Sequence, residues 1–194
     1  AAANSTRLAG VYLFGDSGSI VGGTAAGAAN VIAFNPGSGV HLRNDTSTAA
    51  TGNVIEGNSI FQNGAQGITT EDLGLEAPEF IQDAGDADTG ANGLQNTPII
   101  SSAFESGAGT ISVQARIMTA ANASYRVEFF SSPSPSPKGY GEREIFLDSS
   151  RLSTDGSGNA DTTISLSGTA GEWITATGEW VNDRSHGQQF KTQF

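Results

Sequence analysis

Asn30-Val-Ile-Ala-Phe-Asn35, Gly39-Val-His-Leu42, Gly52-Asn53-Val-Ile-Glu-Gly-Asn58-Ser-Ile60-Phe-Gln-Asn63 and Gly67-Ile-Thr-Thr70 carry the reading that decides the fold. The block Asn30–Leu42 is echoed by Asn53–Thr69, and Asn30 and Asn53 lie 23 positions apart (53 − 30). Short apolar pieces set between Asn and Gly at a period of that size point to a solenoid, whose single layer cannot bury its apolar face alone. Val31, Ile32, Val40, Ile55, Ile60 and Ile68 suit short strands whose inward side chains pack on their counterparts one layer away. Asn35, Asn58 and Asn63 fall where the chain must turn, and Asn tolerates left-handed backbone better than most residues. Stacked Asn amides can also hydrogen-bond between layers.

The run Gly52-Asn53-Val54-Ile55-Glu56-Gly57-Asn58-Ser59-Ile60 followed by Gly67-Ile68 resembles the repeat of right-handed parallel β-helix proteins, among them pectate lyases, alginate epimerases and many bacterial surface proteins. The resemblance covers roughly residues 10–75. It specifies fold far better than function.

Composition points the same way. Gly makes up 26 of 194 residues, close to twice the usual share of about 7%. With no cysteine there is no disulfide framework and no thiolate chemistry. A net charge of −11 sets the surface against nucleic-acid phosphates. No apolar run reaches the roughly 18–20 residues of a membrane span, and no basic stretch followed by an apolar one opens the chain, so any secretion signal is expected to have been removed or to lie outside it. An extracellular or cell-surface bacterial setting is the expectation.

Beyond Glu71 the pattern changes to longer alternating runs: 110–117, 125–130, 144–147, 160–166 and 173–180. Period-2 alternation means one face in a core and one toward water. Asp155-Gly-Ser-Gly-Asn159 between two such runs is a tight-turn signal. About seven strands in this half fit an immunoglobulin-like β-sandwich. The expected fold is therefore all-β, a short right-handed parallel β-helix over 1–75, an acidic Gly-rich linker over 76–97 and the sandwich over 98–194. Asp83 to Pro98, Tyr125 to Phe130, Gly139 to Glu142 and Thr154 to Asn159 are similar to a module that follows β-helix repeats in large bacterial secreted and surface-layer-like proteins. That resemblance, over about 72–180, implies a non-catalytic, modular extracellular protein. Ser132-Pro-Ser-Pro-Ser-Pro137 and the stretch Asp183–Gln189 depart from it.

The densest chemical constellation is Asp83-Ala-Gly-Asp86-Ala-Asp88-Thr-Gly90-Ala-Asn92. Carboxylates at alternate positions, then Gly and an amide, can fold around a hard cation, and calcium takes six to eight such oxygens. Asp83, Asp86, Asp88 and Asn92 are the candidate ligands, with Gly90 permitting the turn. The spacing approaches the first half of an EF-hand loop, but Gly stands at the third acidic position and no bidentate Glu follows. Two readings stay open: a calcium site stiffening the joint between the two halves, or a solvated acidic linker.

No catalytic set is assigned. His41 and Arg43 stand two apart and share a strand face, expected to be outward, where with Asp45 they could meet an acidic sugar. Tyr140, set in Gly139-Tyr-Gly141, and Trp180 are candidate stacking platforms for a polysaccharide. Trp173 and Trp180, seven apart, belong on opposite faces of their strand. Solenoid ends expose unpaired backbone. The sandwich is expected to cover the C-terminal end, and the N-terminal end is expected to meet either more of a longer β-helix or another copy. Function therefore divides between a structural or adhesive module and a carbohydrate-active one.

Overall fold

A computed structural model describes residues 8–72, 75–76, 82–135 and 141–181. The first part is built from short strands: β1 (Val11–Phe14), β2 (Ile20–Gly22), β3 (Val31–Ala33), β4 (Val40–Arg43), β5 (Val54–Glu56), β6 (Ser59–Phe61), β7 (Ile68–Asp72) and β8 (Leu75–Glu76). They form three parallel stacks, β1-β4-β7, β2-β5 and β3-β6, with β8 antiparallel to β7. The chain thus passes through β1, β2 and β3 as one layer, through β4, β5 and β6 as a second, and starts a third with β7.

Apolar alternation closes the interior of these layers. Leu13, Leu42, Ile32, Ile60, Ile55, Val40 and Ile68 are buried in one cluster with Ala50 and Ala91. Each fully buried aliphatic side chain contributes about 1.5–3 kcal/mol. Val31, expected among them, is 74% exposed, because Ile32 beside it takes the inward position.

The repeat length needs correcting. Asn30 lies over Asn58, 28 residues on, and Asn53 lies under Ser19, 34 residues on. Asn30 and Asn53 open strands in different stacks, β3 and β5, so their 23-residue spacing joins unlike corners. Layers of unequal loop length hide the true register from sequence comparison. The left-handed turn positions are also displaced by one: Phe34 (φ 59°) and Gln62 (φ 49°) carry them, immediately before Asn35 and Asn63. Those asparagines bond between layers instead.

The second part holds β9 (Ile99–Gly107), β10 (Thr110–Met118), β11 (Ser124–Ser132), β12 (Ile145–Ser153), β13 (Asn159–Ser167) and β14 (Trp173–Trp180). They make two three-stranded antiparallel sheets, ordered β13-β10-β9 and β12-β11-β14. Ile111, Val113, Ala115 and Ile117 of β10 meet Tyr125, Val127 and Phe129 of β11 in a shared core with Ile174 and Ala176. Asp155, accepting from the N–H groups of Ser157 (2.8 Å) and Asn159 (2.9 Å), builds the expected turn between β12 and β13.

Six strands, not seven, lie in this part among the described residues, and the expectation of one wet face fails for the middle of one sheet. Glu128 and Phe130 on the second face of β11, and Thr175 and Thr177 of β14, are buried as well. That face is turned toward the parallel layers. The main chain of Arg143 pairs with Ile60 of β6 (2.8 and 2.9 Å), and Ser59 Oγ donates to the Glu144 carbonyl at 2.6 Å. The lower edge of the parallel part is therefore covered by the antiparallel part. No helix among the described residues is long and apolar enough to cross a membrane.

Candidate metal centre

Residues 82–97 are no loose spacer: Asn92, Gln95, Asn96 and Thr97 within them are buried. Gly85 (φ 80°) and Asp86 (φ 56°) adopt consecutive left-handed conformations that fold the acidic run back on itself. Asn96 clamps the fold. Its Oδ1 accepts from the Asp83 N–H at 3.1 Å, and its Nδ2 donates to the carbonyls of Asp83 and Met118, both at 2.7 Å. Asp86 is fixed from two sides, accepting from the Asn96 N–H at 2.7 Å and from Thr119 Oγ1 at 2.9 Å. Asp83 Oδ2 accepts from the Ala87 N–H at 2.7 Å.

This arrangement brings one carboxylate oxygen from each of Asp83, Asp86 and Asp88 within 4.8 Å of one another. Asp83 Oδ1 and both oxygens of Asp88 are shielded from water and, among the described residues, have no hydrogen-bond partner. Three negative groups so placed repel one another. Burial, then the charges of Asp83 and Asp86, push the Asp88 carboxyl up to about 6. Two oxygens on opposite sides of a calcium ion lie about 4.6–5.2 Å apart, so the spacing suits that ion. Main-chain carbonyls and water could supply further oxygens. The residues present fit a hard divalent cation.

Asn92 is not part of this set. It sits in a short turn (Ala91–Leu94), where its Oδ1 accepts from the Asn53 N–H at 3.1 Å and its Nδ2 donates to the Asn53 carbonyl at 2.7 Å. Its N–H also donates to the Ala50 carbonyl at 2.6 Å. The expected fourth ligand instead holds the segment to the parallel layers, because an amide able to both donate and accept satisfies an open strand end. The acidic cluster, bound through Thr119 and Met118 to the end of β10, and Asn92, bound to β5, thus sit on opposite sides of one joint.

The sugar-contact candidates are scattered. His41 is fully buried, contrary to the outward exposure expected, with the Tyr12 ring edge-on at 5.2 Å. Its position in the outer row of β4 follows the alternation, but neighbours cover it. Arg43 is half-buried, its guanidinium 5.8 Å from the Phe14 ring centre. Trp180 packs against the antiparallel core and stacks on Tyr125 at 5.9 Å, while Trp173 lines a separate cleft with Phe104 and Glu172. Tyr140 lies outside the described residues.

Sequence reasoning missed a second part of the joint. Glu128, buried on β11, accepts from the Gly57 N–H, from Arg126 at 3.2 Å and from Arg143 at 2.9 Å, while Arg126 also approaches Glu56 at 3.7 Å. The fully buried Arg143 lies 4.3 Å over the Phe130 ring, and burial pushes its guanidinium down to about 10 against the pull of Glu128. The one signal available was a Glu between Val127 and Phe129, on the strand face otherwise assigned to water.

In comparison with known proteins, no protein-family model matches the chain, and no curated protein is significantly similar to it.

Proposed function

We propose that this is a non-catalytic structural or adhesive module of an extracellular protein, a short right-handed parallel β-helix joined to an immunoglobulin-like sandwich and stiffened at the joint by calcium. The observation that carries this reading is the convergence of Asp83, Asp86 and Asp88, with three water-shielded oxygens that have no partner among the described residues. Such oxygens are costly unless a cation or proton satisfies them. The cluster lies on the segment between β8 and β9, which is bonded to Asn53 beside β5 and to Met118 and Thr119 at the end of β10. A cation there would hold the two parts in one relative orientation. The three parallel stacks and the two antiparallel sheets with a shared core support the β-helix and sandwich assignments.

The test is thermal unfolding with excess calcium and with chelator. At calcium about 100-fold above the dissociation constant, about 2.7 kcal/mol of stabilisation is expected. For a chain of this size that is a rise of about 5–10 °C. Loss of the response in Asp88→Asn supports the site, and a response that survives it would sink the assignment.

A second reading, polysaccharide binding, is favoured by one feature. Tyr12 and Phe14 stack at 5.8 Å with a 13° interplanar angle, both exposed, with Arg43 beside them. Exposed flat rings flanked by a cation suit an acidic sugar. Weakened binding of uronate oligosaccharides in Tyr12→Ala/Phe14→Ala would support this reading, and no binding by the parent chain would remove it.

A further inference from the structure

We propose that the end of the parallel part formed by β1, β2 and β3 is a docking face for one further parallel strand layer that carries two asparagines five residues apart. Among the described residues, each of the three strands has a neighbouring strand on one side only. Between them opens a cleft of about 420 Å³ lined by Val11, Ile20, Val21, Val31 and Ile32. Ile20 is 58% exposed and Val31 74%, so an apolar surface coincides with strand edges that no other described strand pairs.

The asparagines identify the occupant. In every layer interface the lower Asn turns its amide to the layer above. Asn58 Oδ1 accepts from the N–H and Nδ2 of Asn30 at 3.1 and 3.0 Å, and its Nδ2 donates to the Val21 carbonyl at 2.7 Å. Asn63 treats Asn35 in the same way, at 3.1 and 2.8 Å, and donates to the Ile32 carbonyl at 2.9 Å. Asn53 accepts from the Ser19 N–H and donates to the Asp16 carbonyl, and Asn92 repeats the pattern beneath Asn53. Asn30 and Asn35 hold the corresponding places one layer higher. Each donates downward, and among the described residues nothing donates to either Oδ1. A layer above that placed Asn over both would complete the rule, since its main-chain N–H and Nδ2 would meet each oxygen.

A second copy stacked head to tail does not fit. The matching lower end is already covered by Arg143 on Ile60, Glu128 on Gly57 and Asn92 on Asn53. The docking face therefore continues the interface between the first two layers, with a like segment as its occupant. This inference stands apart from the calcium reading.

The test inserts a duplicate of residues 36–63 before Leu8 in the full chain and follows amide exchange over Val31–Ala33 together with the unfolding midpoint. Exchange there should slow about ten-fold or more, with a higher midpoint. If the longer chain does not fold, a synthetic peptide of residues 36–63 added to the parent chain should still slow exchange at the same amides. Unchanged exchange in both experiments would overturn the proposal. So would a parent chain that is dimeric by light scattering with those amides already protected, since a second copy would then be the occupant.

Discussion

The carboxylate of Glu128 receives the Gly57 N–H on both oxygens, at 3.2 and 3.0 Å, and this contact ties the central strand of an antiparallel sheet to the end of a parallel one. Gly57 has φ 68°, and a side chain there would press on the Gly23 carbonyl. Backbone geometry and a buried charge thus meet at one point. The same carboxylate offsets the fully buried Arg143.

Removing that carboxylate should therefore cost more than the contact itself. Glu128→Gln is expected to destabilise by about 3 kcal/mol, because the fully buried Arg143 loses the acid nearest to it and keeps the weaker influence of Glu179. Glu128→Leu combined with Arg143→Met should recover much of the loss. Urea midpoints of the single and double variants check this, and an additive double variant would contradict it.

Protonation of Asp88 gives the acidic cluster a defined pH signature. Its carboxyl titrates near 6 in the folded chain against 3.8 in the unfolded one. A raised acid binds its proton more tightly when folded, so its effect on stability worsens as pH rises from about 4 through 6. In chelator, the midpoint should therefore rise when pH falls from 7 to about 5. Asp88→Asn should raise the midpoint at pH 7 in chelator and flatten that dependence. With calcium the order should invert, the parent exceeding the variant.

The asparagine contacts predict an asymmetry between two residues that bond each other. Asn58 is fully buried and serves the layer above through both ends of its amide, whereas Asn30 is exposed. Asn58→Leu should cost about 1–3 kcal/mol, leaving the Val21 carbonyl without its donor. Asn30→Leu should cost less, since water reaches that end. Equal losses by chemical denaturation would contradict the layered reading.

Glycines at the layer contacts should divide by what lies beneath them. Gly22 (φ 90°) and Gly18 (φ 74°) are both left-handed, but only at Gly22 would a Cβ run into the Glu56 carbonyl and Asn58. Gly18→Ala carries the conformational cost alone, about 1–2 kcal/mol. Gly22→Ala should exceed it clearly and lower the midpoint further.

Much of the architecture was legible in the chain. Alternation at Thr110–Ile117 and Tyr125–Phe130 marked strands because inward positions must be apolar, and Ile32, Ile55 and Ile60 marked the core of the parallel layers for the same reason. The acidic run 83–88 was visible as a cluster because its spacing is local. Register between layers was not legible. Asn30 resembles Asn53 in its neighbours yet stacks on Asn58, since loop lengths decide which strands meet and local sequence does not encode them. Nor could alternation show that the polar face of β11 would be buried against Gly57 and Ile60. That burial depends on how two parts of the chain dock, which only the tertiary structure fixes. The same docking took Asn92 from the acidic run to Asn53, because an amide bonds whichever open strand end is brought to it.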